Sequence, residues 1–341
     1  MGTSWLALAL LFAAPQEEPP YKLPPPAWIT LKADNRPLNE VLQEISRQAS
    51  IPIDCPGVAD RVTVNLGEVP FWEALHEVCT AHGFFVFGGR GDGVLMGRGK
   101  YSGRSALFRG PLAVLPRWDS NPGAMKAVFH FLVYWEKKVP MDFLGCRVIS
   151  IRDGGEPVPQ IEADTMVNPE ATPGRSQLSH GVRADIPLPL ADPDGTPRYR
   201  VVLRCGMAVK HSEIVFKDPE QKADVTKDAS RVSVTLVRCA RERRGSRISY
   251  QVWPGEIPLR EPAVIRVMAR DENGVEHFVA QQMVQFRKGD RGPLDSSPYL
   301  GIPASLAGPV KELKFLVPDR VHVEEVTLDP SRIPNTRGDW R

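Results

Sequence analysis

Trp28-Ile29-Thr30-Leu31-Lys32-Ala33 opens the stretch that decides the fold, which runs from Trp28 to Met96. Ile29, Leu31 and Ala33 alternate with polar neighbours, the pattern of a half-buried strand. A helix follows from Pro37, since proline tolerates the first helical position, where an N–H would have no intrahelical partner. Leu38, Val41, Leu42, Ile45 and Ala49 form one apolar stripe, and Asn39, Glu40, Gln43, Glu44 and Arg47 lie outside it. Ile51 to Asp54 reads as a second short strand. The plan then repeats: Val62-Thr63-Val64-Asn65-Leu66 as a strand, Pro70 opening a helix, and Gly83 closing it as a left-handed cap. Phe71, Ala74, Leu75, Val78 and Cys79 are the second stripe. Phe84 to Phe87 and Val94 to Met96 make a hairpin around the glycine-rich tip from Gly88 to Gly93. The expectation is a closed α/β unit of about 70 residues, near the lower size at which a core stands alone.

The residues of this unit carry a family resemblance. Leu38-Asn39-Glu40-Val41-Leu42, Pro56-Gly57-Val58, Val62-Thr63-Val64-Asn65-Leu66, Val69-Pro70, Glu73-Ala74-Leu75 and Gly83-Phe84 follow one rhythm. It resembles that of the secretin and TonB short N-terminal domain, over residues 28–97 only. The resemblance implies a bacterial envelope location, periplasmic or secreted, and a role in protein contact, and it transfers no catalytic residue. The remainder is too short for a secretin ring domain or a membrane β-barrel, so channel and iron-receptor functions do not follow.

Working outward, Trp5 to Ala14 is an apolar run of signal-peptide length, too short to span a bilayer. Residues 1–14 are thus expected to be a signal peptide. Residues 15–27, with six prolines between Pro15 and Pro26, are expected to be an extended tether.

Beyond residue 97 no convincing helical period appears. Pro 33 and Gly 28 are high together and favour turn-rich β structure. The first series of strands is read at Gly110–Trp118, Val128–Trp135, Cys146–Arg152, Arg198–Arg204 and Glu213–Phe216. A second is read at Arg231–Arg238, Arg247–Trp253, Ala263–Arg270, His277–Phe286, Leu313–Val317 and Val321–Leu328. The series parallel each other, with Ile149–Gly155 resembling Val267–Gly274 and Val209–Pro219 resembling Arg320–Pro330, where His211 matches His322 and Glu213 matches Glu324. The fold class expected is therefore α+β: a small two-fold βαβ module followed by two immunoglobulin-like β-sandwiches, 101–219 and 220–330, and a flexible tail at 331–341. One large sandwich is the alternative. Glu162 to Leu190 shows little periodicity and reads as a long loop.

The chemistry-bearing candidates are few. His76, Cys79 and His82 share a helix but lack the spacing of a zinc-binding His pair, as position 80 is Thr. Five cysteines allow two bridges, Cys55–Cys79 and Cys205–Cys239 being the pairs to test, against buried free thiols. Asp192-Pro193-Asp194-Gly195 fails as a calcium loop, because Leu190 and Val201 occupy the positions that need ligands, and reads as a tight turn. Arg-Gly-Asp at 90–92 and 337–339 is given no adhesive meaning.

No P-loop, Gly-x-Ser-x-Gly or strand-linked dinucleotide motif is present, and no metal or cofactor is expected. A net charge of +2 argues against a nucleic-acid partner. The reading is a non-enzymatic exported protein that binds an envelope protein or cell-wall component and carries no transmembrane span. The alternative is a hydrolase of glycan or peptide with a site in the 162–190 loop. Partner-binding candidates are Trp28 and Thr30 on an open strand edge, Trp72 at the exposed start of the second helix, and Arg241, Arg243 and Arg244 at a hairpin tip near Gly245. Tyr101 is the second aromatic flanking the module.

Overall fold

A computed structural model describes residues 21–56, 59–86, 93–99, 106–121, 125–152, 154–166, 178–229, 231–242, 245–255, 262–284, 300–301 and 309–333. Among the described residues the protein is mostly β-sheet with two α-helices, and none of the described helices is long and apolar enough to cross a membrane. The segments 1–14 and 15–20, the hairpin tip 87–92 with its Arg-Gly-Asp, Tyr101, Arg243, Arg244 and the tail 334–341 lie outside the described residues.

The N-terminal module is a 33-residue plan drawn twice. Strand β1 (Trp28–Pro37) leads into α1 (Leu38–Ala49) and β2 (Ile53–Asp54). Strand β3 (Arg61–Pro70) leads into α2 (Phe71–His82) and β4 (Phe84–Val86), and β5 (Val94–Arg98) closes the module. β1 and β3 pair antiparallel with the same inside–outside alternation, so Ile29, Leu31 and Ala33 enter the core as Val62, Val64 and Leu66 do. Each strand breaks its ladder at a left-handed residue, Asn35 and Glu68. Each helix ends at another, Ser50 and Gly83. The first helical N–H of each half bonds to the carbonyl that precedes the other half's strand: Leu38 N to Asp60 O and Phe71 N to Ala27 O, both 2.8 Å. Pro37 and Pro70 stand one position earlier than expected, as N-caps with extended backbone. A proline there gives up only the strand's last donor and presets the turn into the helix. β5 joins the halves, pairing parallel with β2 and antiparallel with β4.

The rest is a second duplication. The first set comprises β6 (Leu107–Arg109), β7 (Leu112–Asn121), β8 (Lys126–Trp135), β9 (Met141–Ser150), β10 (Pro157–Met166), β11 (Ser179–Pro187) and β12 (Tyr199–Lys217). The second comprises β13 (Ala223–Asp228), β14 (Val232–Glu242), β15 (Gly245–Pro254), β16 (Ala263–Arg270), β17 (Glu276–Val284), β18 (Leu300–Gly301) and β19 (Glu312–Leu328). Both sets have the same order: the first, second, third and sixth strands form one sheet, β6-β7-β8-β11 and β13-β14-β15-β18. The fourth, fifth and seventh lie in the other sheet. An immunoglobulin sandwich instead groups its first, second, fourth and fifth strands, so the strand order is a different one.

The two seventh strands merge the sets. β12 and β19 pair along nearly their whole length and form the centre of one six-stranded sheet, β10-β9-β12-β19-β16-β17. The first half of β12 and the second half of β19 serve the first sandwich; the remaining halves serve the second. Where the sequence suggested four short strands, Arg198–Arg204, Glu213–Phe216, Leu313–Val317 and Val321–Leu328, two long ones run through. The ladder slips at Lys210–Arg320, with one extra residue on each strand. A bulge sets two residues against one, which shifts the alternation by one position. Odd-numbered Leu203, Cys205 and Met207 therefore enter the first core, while even-numbered Ile214 and Phe216 enter the second, on the same face of the sheet. On the other face the Phe143 ring lies across Gly206, its paired residue, so closely that a Cβ on Gly206 would fall 1.9 Å from a ring carbon.

Two hydrophobic cores result. One is continuous through the module and the first sandwich; the other belongs to the second sandwich. Residues 21–27 carry no regular structure, yet they are not a free tether: Tyr21 and Leu23 pack on the first core, with the Tyr21 ring 5.1 Å from His322. The tail likewise begins packed, with Ile333 buried after a 3-10 turn at Pro330–Arg332. The expected loop from Glu162 to Leu190 begins with the end of β10 and closes with β11, both edge strands, while residues 167–177 lie outside the described residues.

Candidate interaction surface

The joint between module and first sandwich fixes which module faces remain open. Trp72 sits on the flank of α2 away from the module's own sheet. It is 4% exposed, so the expectation of an exposed side chain is corrected: the sandwich covers it. Its indole N–H donates to Pro111 O at 3.2 Å, and its ring lies 5.3 Å from that of Tyr134, whose hydroxyl donates to Val86 O at 3.2 Å. Ala27 N–H donates to both oxygens of Glu136, at 3.0 and 2.9 Å, and Lys138 stands 3.1 Å from the same carboxylate. Burial pushes the Glu136 pKa up, opposed by Lys138 and the Ala27 bond.

At the outer edge of β1, Trp28 is 51% exposed, as an anchor for a partner needs to be. Thr30 does not offer the open edge expected of it. The Gln48 carboxamide of α1 accepts from Thr30 N at 2.9 Å and donates to Thr30 O at 3.0 Å, standing where a pairing strand would stand.

On the α2 side of the module an open cleft of about 400 Å³ runs between the helix and β6, with Glu73, Glu77 and Thr80 on one wall and Phe108 on the other. His76 reaches into it, its ring 5.3 Å from Phe108 and edge-on, and burial holds its pKa below the ordinary imidazole value. The cleft leaves no local signal in the sequence, because Phe108 lies in a three-residue strand after the module.

The other candidates separate in space. Arg241 is exposed near the end of β14, at the opposite end of the molecule's element order from the module. Cys79 is fully buried in the module core, and among the described residues no three His, Cys, Asp or Glu side chains group to hold a metal. All five cysteines are free thiols, so neither proposed bridge is formed; burial pushes Cys79, Cys205 and Cys239 up to about 12, which keeps them protonated. Asp192 to Gly195 is a tight turn, with Gly195 N donating to Asp192 O at 2.9 Å and the Asp192 carboxylate paired with Arg198 and Arg152. The most buried carboxylate, Asp142, ties the two sandwiches: it accepts from Val264 N at 2.9 Å and Arg266 Nη2 at 3.0 Å, and burial raises its pKa to about 6.

No family model matches the chain, and no curated protein matches it. Among solved structures, a chain described as pT26-6p is similar over 72% of this chain and 68% of its own length, at 8% identity and a TM-score of 0.19.

Proposed function

We propose that this is a non-enzymatic, exported envelope protein whose short N-terminal module, of the secretin and TonB type, binds another envelope protein or a cell-wall component. The observation that carries the reading is the joint. Trp72, Tyr134 and Glu136 weld the module to a β-body, which fixes its orientation and leaves Trp28 and the α2 cleft facing outward. Such pre-organisation lowers the ordering cost of binding, which suits a presenting role. Expression with the native N-terminus, followed by crosslinking in envelope fractions, tests it. Recovery of one envelope partner or of peptidoglycan fragments, with export of the chain, supports the reading, and a chain retained in the cytoplasm without either overturns it.

A further inference from the structure

The two-fold symmetry of the module fails at the outer strand edges, and the failure is chemical. Gln48 closes the edge of β1 at Thr30. The residue 33 positions after Gln48 is Ala81, and the counterpart of Thr30 is Thr63. The two threonines sit alike in their strands: Thr30 Oγ1 accepts from Glu68 N at 3.2 Å, and Thr63 Oγ1 accepts from Asn35 N at 3.0 Å. Both fall in the gap of the β1–β3 register. Thr63 N–H and C=O therefore point outward as those of Thr30 do, and the methyl group of Ala81 cannot bond to either. An exposed strand edge of this kind is a template for another strand.

The same half of the module has lost its counter-charges. In the first half Glu40 pairs with Arg36 at 3.4 Å and Glu44 with Arg47 at 2.6 Å. Their counterparts Glu73 and Glu77 are kept, but Val69 and Thr80 stand where the arginines would be. Among the described residues neither Glu73 nor Glu77 has an ion pair. Val69, Thr80 and Ala81, the three exchanged positions, all line the 400 Å³ cleft, with Phe108 opposite. Wherever the first half closes itself, the second is open and acidic.

We infer that the outer edge of β3 and the adjoining cleft receive an extended segment of a partner protein bearing lysine or arginine. The segment adds as a strand at Thr63, alternate side chains reach the cleft, and their cationic ends meet Glu73 and Glu77. This deepens the envelope-binding reading and depends on it only for the partner's location.

The test uses the full chain and two short fluorescent peptides, one alternating valine with lysine and one alternating valine with glutamate. Hydrogen exchange on the free protein should be slow at the Thr30 amide and fast at Thr63. The lysine peptide should protect Thr63 and the glutamate peptide should not. Ala81→Gln, which supplies the missing carboxamide, should slow Thr63 exchange by itself and weaken the lysine peptide about tenfold, the worth of one or two hydrogen bonds. Glu73→Gln with Glu77→Gln should weaken it and flatten its salt dependence. Equal binding of the two peptides, no protection at Thr63, or an Ala81→Gln protein that binds unchanged would each overturn the inference. An envelope partner captured equally by wild type and Ala81→Gln would reject this edge and leave the broader reading standing. Peptide protection at Thr63 in a chain that is never exported would do the reverse.

Discussion

Between the module and the first sandwich none of the described strands crosses: the joint is Trp72, Tyr134, Glu136 and the apolar side chains that make the two parts one core. Between the two sandwiches the cores are separate, and the joint is chiefly backbone, two long strands each spending half its length in either sandwich, with the Asp142 carboxylate as a side-chain tie across them. The first kind of joint is set by packing and can be undone by one substitution. The second is set mainly by chain path, and a point mutation can loosen it only by disturbing a core, the bulged centre or the Asp142 tie.

The largest expected effect on this contrast comes from Trp72→Ala. Removing a buried tryptophan costs about 3–5 kcal/mol, and here it should release the module, giving two unfolding transitions in calorimetry where wild type shows the module and first sandwich melting together. Phe315→Ala is the matched attack on the second core, where that ring meets both Phe216 and Tyr250. A loss of similar size, about 3–5 kcal/mol, should spread into the first sandwich through β19, so that Trp72 fluorescence follows the same transition. Persistence of a native first sandwich would show that the strand joint does not couple the cores.

Asp142 sharpens the comparison by pH. Its folded pKa, raised to about 6, lies above the ordinary 3.8, so folding favours the protonated form. The extra stability is present below pH 4 and is lost as pH rises through 6. The roughly two-unit difference corresponds to as much as ~3 kcal/mol. Denaturant midpoints of wild type and Asp142→Asn, compared across that range, should differ in slope; equal slopes would remove Asp142 as the titrating tie. Gly206→Ala, by pushing a methyl group against the buried Phe143 ring, should cost about 1–3 kcal/mol as an overpacked site. The smallest effect is Gln48→Ala, about 1 kcal/mol for the lost bonds, with the Thr30 amide exchanging as fast as Thr63.

The module was legible because both of its halves bury one face of a helix and one face of a strand, and the periods of Leu38–Ala49 and Ile29–Ala33 report that directly. Trp72 was misread for the same reason. The stripe of α2 is complete without it, and what buries it is a strand 40 residues or so further on, which no local period records. The two long strands were cut in half because Lys210-His211-Ser212 and Pro318-Asp319-Arg320 interrupt the apolar alternation. They are polar where the apolar alternation has to change parity, which is a property of the pair and not of either strand. The open edge at Thr63 needed both kinds of information. The 33-residue repeat lies in plain sight, but only the Gln48 bonds tell what Ala81 fails to do.

The shared strands also set an order of events in synthesis. The sheet of the first sandwich is complete only when β19 lies against β12, and among the described strands β19 comes last. A nascent protein in which β19 has yet to be made still exposes the Val201–Ala208 edge, so neither sandwich can be finished before β19 emerges. Closing so distant a pair carries a high loop entropy and a slow rate. Until that pairing occurs, the exposed edge is open to any passing strand, and a holding chaperone would have its clearest reason to bind there.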